Sequence, residues 1–581
     1  MNFTGLLASL AMSHLSAAAV FAFCSFALQS CGGGNAGRSP VLPPPPPVNT
    51  SGADVTTYHN DNLRTGQYLQ EQTLTATNVA QATFGLLLKL PVDGKVDAQA
   101  LVLHAITMAD TAAHDVVYVA TEHDSVYAFD VQSGAKLWQV SLLASGETPS
   151  DARSCDQVIQ EIGITATPVI DRAAGSIFVV AMSKDGSGAY HQRLHALSLV
   201  TGAEAAGSPI AISASVTGTG APATQNGLVV FDPGQYKERS ALLLSQGIVY
   251  ASWASHCDIN NYTGWIIGYD ESNLRQTAVF NTEPSGNDGG AQGRASFWNS
   301  NAGPSADAAG IIYAMSANGV FDTALTPAGF PAGNDYGNSI LKLAPPSGNA
   351  MAVLDYFTMY NANPESADDL DLGSGGLLLL PDQTDATGAV RHLAVGAGKD
   401  GNLYVVDRDN LGKFNSSSNM NAYQFFAGAF PSTGCATGVF GAPVYFNGMV
   451  YVDAAGDVIR GYRLAAAKIP SQGAAAQVAT QTGQTFCYPG PPLAVSANGS
   501  ANGILWAVEN SASQAVLHAY AAANLATEYY NSSQAGARDQ FGPGSKYTPP
   551  TVAIGKVFVG TQADNSTSPP GQNYVAVFGL L

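Results

Sequence analysis

The sequence predicts an all-β chain folded as an eight-bladed β-propeller, closed by pairing an N-terminal with a C-terminal strand. Three observations carry that expectation. Turn-forming residues abound, with 62 Gly and 31 Pro in 581 residues, and only 12% of residues are charged; no long stretch after residue 60 sustains a helical period. A strand–turn–strand outline recurs at eight places, and one such unit cannot bury its own faces without neighbours. The last copy ends before a fourth strand, and an unpartnered apolar strand near the chain start can complete it.

Taken in order, the chain begins with residues 1–30, which carry no Lys, Arg, Asp or Glu and are mostly apolar. Leu28-Gln29-Ser30-Cys31 resembles the lipobox of a bacterial lipoprotein signal, with Cys31 as the lipid-bearing residue. Cys24 follows bulky Phe23, which such a processing site would not accept. A basic residue near Met1, usual in a signal, is missing. An ordinary cleaved signal with a coincidental Cys is the alternative. Residues 31–53 contain GGGNAG and the run Pro43 to Pro47, a flexible piece followed by an extended spacer. Gly32, and not Asp, follows Cys31, which by the bacterial sorting rule implies the outer membrane. The folded body is expected over 54–581.

The clearest unit is Val116 to Trp138, reading VVYVATEHDSVYAFDVQSGAKLW. Val117, Val119 and Thr121 alternate with Tyr118 and Ala120, the period of a strand. Glu122 to Ser125 reads as a polar hairpin turn, and Ser133-Gly134 as a second turn. Second strands recur from Ile177, Ile248, Ile311, Leu393, Val450, Ile504 and Val557, most of them after a Gly. Third strands end at the positions matching Asp130, namely Ser198, Asp270, Ala344, Asp407, Arg463, Ala521 and Phe578. Innermost strands are marked by Pro at their start, at Pro168, Pro443, Pro492 and Pro550, where no ladder donor is lost. Spacings of roughly 55 to 75 residues suit four short strands with loops. Gly85 to Leu90 is the unpartnered strand that would join the last unit and remove both open edges. Seven blades is the alternative if one copy is spurious.

Ala128-Phe129-Asp130-Val131-Gln132-Ser133-Gly134-Ala135-Lys136-Leu137-Trp138 resembles the repeat of quinoprotein (PQQ-type) propellers, in which a Trp docks on the next blade. Gly401 to Arg408 is similar to a strand of the PQQ-dependent alcohol dehydrogenases, and Lys399 is then the counterpart of a Lys near their cofactor. Tyr58-His59-Asn60-Asp61-Asn62 with Arg64-Thr65-Gly66, Glu161 to Thr165, Ser255-His256-Cys257-Asp258 and Asp371 to Gly376 are similar to secreted bacterial proteins labelled pyrrolo-quinoline quinone. Trp138 alone keeps the docking position, and no Cys-Cys pair occurs. The calcium ligands and catalytic Asp of those dehydrogenases have no residue-by-residue match.

Beyond the signal lie Cys155, Cys257, Cys435 and Cys487. An exported chain meets an oxidising compartment, so disulfides are expected. Cys435 and Cys487 precede innermost strands of adjacent blades, and Cys155 and Cys257 would form the other bridge; that pairing is preferred among the three connectivities. Spacing argues against a metal site. Asp368-Asp369-Leu370-Asp371 before Gly373-Ser374-Gly375-Gly376 lacks the bidentate Glu of a helix-loop-helix calcium site, Leu380 standing in its place, and reads as an acidic turn. Ligands of propellers bind where inner strands and their approach loops converge. Glu161, Arg294, Trp298, Asp371, Lys399 and Asp400 are the residues expected to reach that channel. Arg294 and Lys399 would suit an anion and Trp298 a flat ring.

A net charge of −19, with 24 basic against 43 acidic residues, excludes nucleic acid as a partner. Two functions remain. The leading one is a monomeric, lipid-anchored propeller of the cell envelope that binds protein or glycan without catalysis, resembling the outer-membrane-assembly lipoprotein of the same propeller type. The alternative is a dehydrogenase of alcohols or sugars using PQQ with calcium.

Overall fold

The structure is a computed structural model that describes residues 54–153, 155, 161–220, 226–286, 294–431, 434–511, 513–563 and 571–581. The signal and linker expected over 1–53, and Cys31 with them, lie outside the described residues.

Among the described residues, eight sheets of four to six strands make the eight blades, with three further two-stranded ribbons in loops. The first blade runs Leu101–Thr107, Ala113–Ala120, Ser125–Asp130 and Lys136–Ser141, each antiparallel to the one before. Innermost strands of the next seven are Val169–Asp171, Tyr236–Ser245, Ser305–Ala306, Leu378–Leu379, Val444–Phe446, Leu493–Asn498 and Thr551–Ala553. The Pro-marked starts thus stand where a lost donor does no harm. Phe84–Val92 pairs antiparallel with Asn573–Leu580, so the N-terminal strand completes the eighth blade. Among the described residues the only α-helix is Ala362–Ala367, a six-residue insert.

Burial departs from the expected alternation. Val116 to Ala120 are all buried, because each blade is covered on both faces by its neighbours. The apolar clusters show this directly. One joins Val557 and Phe578 of blade eight to Ile504 and Trp506 of blade seven. Another joins Val575 of blade eight to Val117 of blade one and Ile177 of blade two. The rest continue round the ring from Val180 and Trp253 to Leu341, Leu379, Val450 and Leu505. Burial of apolar area between blades, at about 25 cal/mol per Å², is the main attractive force. Trp138 docks as the repeat predicts: its Nε1–H donates to Leu199 O of blade two at 3.0 Å. The turn glycine beneath it, Gly202, has φ +71, and a Cβ there would sit 2.7 Å from the indole, so the position requires Gly.

Residues 54–71 close one end of the channel by visiting every blade in order. Val55 exchanges two backbone hydrogen bonds with Val102, and Ile170 N–H donates to Thr56 O at 2.9 Å. Arg64 donates to Leu242 O at 3.1 Å in blade three and to Pro304 O at 3.0 Å beside blade four. Ala306, Leu379, Tyr445 and Val495 of blades four to seven donate their N–H groups to Asn62, Leu63, Thr65 and Gly66. Gly555 N–H of blade eight donates to the Glu71 carboxylate at 3.1 Å. Tyr58 fills the axis among Ala241, Ala302 and Ala442. Buried backbone groups must be paired somewhere, and this segment pairs those of the inner strands.

Candidate ligand site at the channel mouth

Toward the other end the inner strands splay and leave a cavity of about 770 Å³. Lys237 and Arg239 reach it from the start of the blade-three inner strand, where a bulge between Glu238 and Ser240 breaks the regular pairing. Arg294, Ser296 and Trp298 precede the inner strand of blade four, and Asp369 and Asp371 that of blade five. Phe440, Tyr488 and Lys546-Tyr547 stand before the inner strands of blades six, seven and eight. Lys399 comes from the turn between Leu393–Ala397 and Leu403–Asp407. One wall is the disulfide Cys155–Cys257, whose Cα atoms are 6.0 Å apart. The second disulfide, Cys435–Cys487, with Cα atoms 5.5 Å apart, holds the loop that carries Tyr488.

The rings form one cluster. Trp298 lies 6.2 Å from Phe440 and 6.3 Å from Tyr547, and Phe440 meets Tyr488 edge-on at 5.0 Å. The Tyr488 and Tyr547 hydroxyls are 2.5 Å apart. Cations stand over three of these rings: Lys399 over Trp298 at 5.5 Å, Arg239 over Tyr547 at 5.4 Å and Lys546 over Tyr488 at 5.1 Å. Five basic side chains, Lys237, Arg239, Arg294, Lys399 and Lys546, line the space against three acidic ones, Asp258, Asp369 and Asp371. In a chain of net charge −19 this is a local reversal of sign, and a low-dielectric cleft concentrates the field of such a patch.

The acids are already engaged. Lys399 Nζ pairs with Asp371 at 2.6 Å and Asp369 at 2.9 Å. Burial still holds the Asp371 carboxyl above its usual range, although Lys399 pulls the other way. For Lys399 itself, burial lowers the ammonium pKa, but Asp371 and Asp369 outweigh it and the net shift is upward. Asp258 accepts from Ser255 Oγ at 2.8 Å and Tyr262 OH at 2.6 Å. Calcium needs six or more oxygen ligands, and among the described residues no three His, Cys, Asp or Glu side chains gather to hold a metal. The donor set of this cavity does not fit a calcium ion.

Of the channel residues expected from sequence, Arg294, Trp298, Asp371 and Lys399 meet in the cavity. Glu161 does not line it: its carboxylate sits 3.0 Å from His123 Nδ1, in the added strand of blade two. Asp400 does not line it either, since the turn directs it inward to accept from Tyr404 OH at 2.6 Å and Asn402 Nδ2 at 2.8 Å. The run Gly373 to Gly376 is neither a calcium loop nor a simple turn. A Cβ at Gly376 would lie 2.6 Å from both Ala302 and Ala442, so the glycines let inner strands converge. Sequence reading missed Lys237, Arg239, Lys546 and the Phe440–Tyr488–Tyr547 cluster. The available signal was basic or aromatic residues at or just before inner strands, beside the marks at Pro443, Pro492 and Pro550.

No family model matches the chain, and no curated protein matches it. Solved structures do. Over 91% of this chain it is similar to the quinohemoprotein alcohol dehydrogenase of Comamonas testosteroni, at a TM-score of 0.58 and 16% identity, covering 80% of that chain. The quinohemoprotein alcohol dehydrogenase ADHIIG of Pseudomonas putida HK5 aligns over 91% of this chain and 81% of its own, with TM-score 0.59 and 14% identity. A europium-containing methanol dehydrogenase aligns over 91% of this chain and 98% of its own, with TM-score 0.55 and 13% identity. The chain therefore shares the propeller fold of these dehydrogenases. At these identities the likeness speaks for the ring, and the chemistry rests on the cavity itself.

Proposed function

We propose that this protein is an exported binding propeller that holds a small organic anion with a flat ring at its channel mouth. The observation that carries this reading is the meeting of five basic side chains with a four-ring aromatic cluster in one cavity. Carboxylates would pair with Arg239, Arg294 and Lys546, and a ring would lie against Trp298. Such a ligand could be free or carried on an envelope glycan or protein. Both disulfides suit an oxidising compartment, and no helix among the described residues is long and apolar enough to cross a membrane. Cys31 is the proposed lipid anchor. A Cys31→Ser variant should leave the membrane fraction; its full retention there with an unchanged lipid mass would end that part of the reading.

The same cavity favours one specific second reading, a quinone cofactor, because PQQ is flat and carries three carboxylates. The missing calcium donors count against a dehydrogenase of the usual kind. Calorimetric titration with PQQ and with benzene-1,3,5-tricarboxylate, each with and without calcium, separates the two. Binding of both, unaffected by calcium and with no dye reduction by alcohols or aldoses, supports the binding protein. Calcium-dependent binding of PQQ alone, with dye reduction, supports the dehydrogenase. No binding of either compound contradicts both.

A further inference from the structure

The amine of Lys237 is the one cavity group whose surroundings do not explain it. Its side chain is 3% exposed, and Nζ lies 3.9 Å from Glu122 Oε1, too far for a hydrogen bond. No other hydrogen-bond partner meets Nζ among the described residues. A buried ammonium that makes no hydrogen bond is costly, so the site favours a ligand that completes it. Glu122 faces it, held by Gly163 N–H at 2.8 Å and Thr165 Oγ1 at 2.8 Å. Asp97, itself paired with Lys95 at 2.9 Å, Arg239, Glu238 and His256 are the other titratable groups around it. Burial pushes the Lys237 ammonium down to about 8 and the Glu122 carboxyl up to about 7, so both groups exchange protons near neutral pH. Two residues along the same strand and lining the same cavity, Arg239 offers a guanidinium for a carboxylate.

We infer that Lys237 forms an imine with a 2-oxo carboxylate bound in this cavity, Arg239 holding the carboxylate and Glu122 supplying and receiving the proton. The inference rests on the anion-binding reading and deepens it by naming a ligand class. The nitrogen lone pair attacks the carbonyl carbon, the carbonyl π pair moves to oxygen, and one of the two amine protons passes to that oxygen. The carbinolamine hydroxyl then leaves as water with a proton from Glu122, while the nitrogen lone pair forms the C=N bond. The iminium nitrogen then gives its remaining proton to the Glu122 carboxylate, so the two amine protons leave in one water per imine and no oxidant or reductant is needed. A desolvated lysine is suited to this chemistry.

The test is to incubate the whole protein with pyruvate and cyanoborohydride and to map the reduced adduct by peptide mass spectrometry. Lys237 should be labelled at least about tenfold faster than exposed Lys136, and benzene-1,3,5-tricarboxylate should slow only the former. Lys237→Arg should remove that adduct while leaving the label at Lys136. Labelling of Lys237 no faster than of Lys136 overturns the imine. If the tricarboxylate still binds in that case, the anion site stands and the imine alone fails. If it does not bind, both fail together.

Discussion

The two ends of the channel are built on opposite principles. At one end residues 54–71 fill the axis and bond to every blade, with Arg64 completely buried and donating to Thr57 Oγ1, Tyr58 O, Leu242 O and Pro304 O. At the other end the start of one inner strand and the loops leading into the others hold charged and aromatic side chains around open space, and the loops there are held by two disulfides. The sealed end satisfies backbone groups and excludes water. The open end is lined by more basic than acidic side chains and holds one amine without a hydrogen bond. Stability and binding are thus placed at different ends of the same strands, and they should respond separately to mutation.

The largest separation should come from Arg64→Ala. It leaves three buried carbonyl oxygens and a hydroxyl without their donor, at a cost of roughly 4 kcal/mol or more in denaturant unfolding. Removing the open-end staple in Cys155→Ala/Cys257→Ala should cost about 3 kcal/mol and weaken tricarboxylate binding as well. If Arg64→Ala proves the milder change, the sealed end is not the anchor of the ring.

Acid should act on the sealed end first. His59 is fully buried, and burial, reinforced by the charge of Arg64, lowers its pKa from 6.5 to about 3. A group whose folded pKa is depressed binds its proton in the unfolded chain first. Its stabilising contribution is therefore intact above about pH 6.5 and falls as pH drops toward about 3, by about 1.4 kcal/mol per pH unit. Denaturant midpoints measured through that window should decline, and His59→Gln should flatten the decline. An unchanged slope in the variant would assign the acid sensitivity elsewhere.

The smallest stability effect belongs to the open end. Arg239→Gln removes a cation that stands over Tyr547, and it should change unfolding by less than about 1 kcal/mol. Tricarboxylate affinity should nevertheless fall about tenfold, or about 1.4 kcal/mol. Added salt should weaken wild-type binding more than that of the variant.

The ring was legible in the sequence because it rests on repetition: strand ends from Asp130 to Phe578, Pro at inner-strand starts and the lone strand at Gly85 all recur in place. The pairing of the cysteines followed from where the blades put them. What escaped was residue behaviour that only convergence creates. Glu122 and Asp124 read as a polar hairpin turn, yet they are 1% and 0% exposed, with Gly163 and Thr165 of the next blade bonded to Glu122. Arg64 sits in a polar-looking segment, and nothing local says that blades three and four will close over it. Lys237 and Arg239 flank Glu238 in a run that looks like a surface strand. Their meeting with Lys399 and Lys546 requires blades separated by more than 150 residues to be brought together.

The most direct test of the contrast between the ends is hydrogen exchange of the whole protein with and without saturating benzene-1,3,5-tricarboxylate. Slow exchange over 54–71 in both states, with ligand-induced slowing confined to the segments around Arg239, Trp298, Lys399 and Tyr547, is the expected result. Fast exchange over 54–71, or slowing there on ligand addition with none at the cavity segments, would contradict a sealed end opposite a binding end.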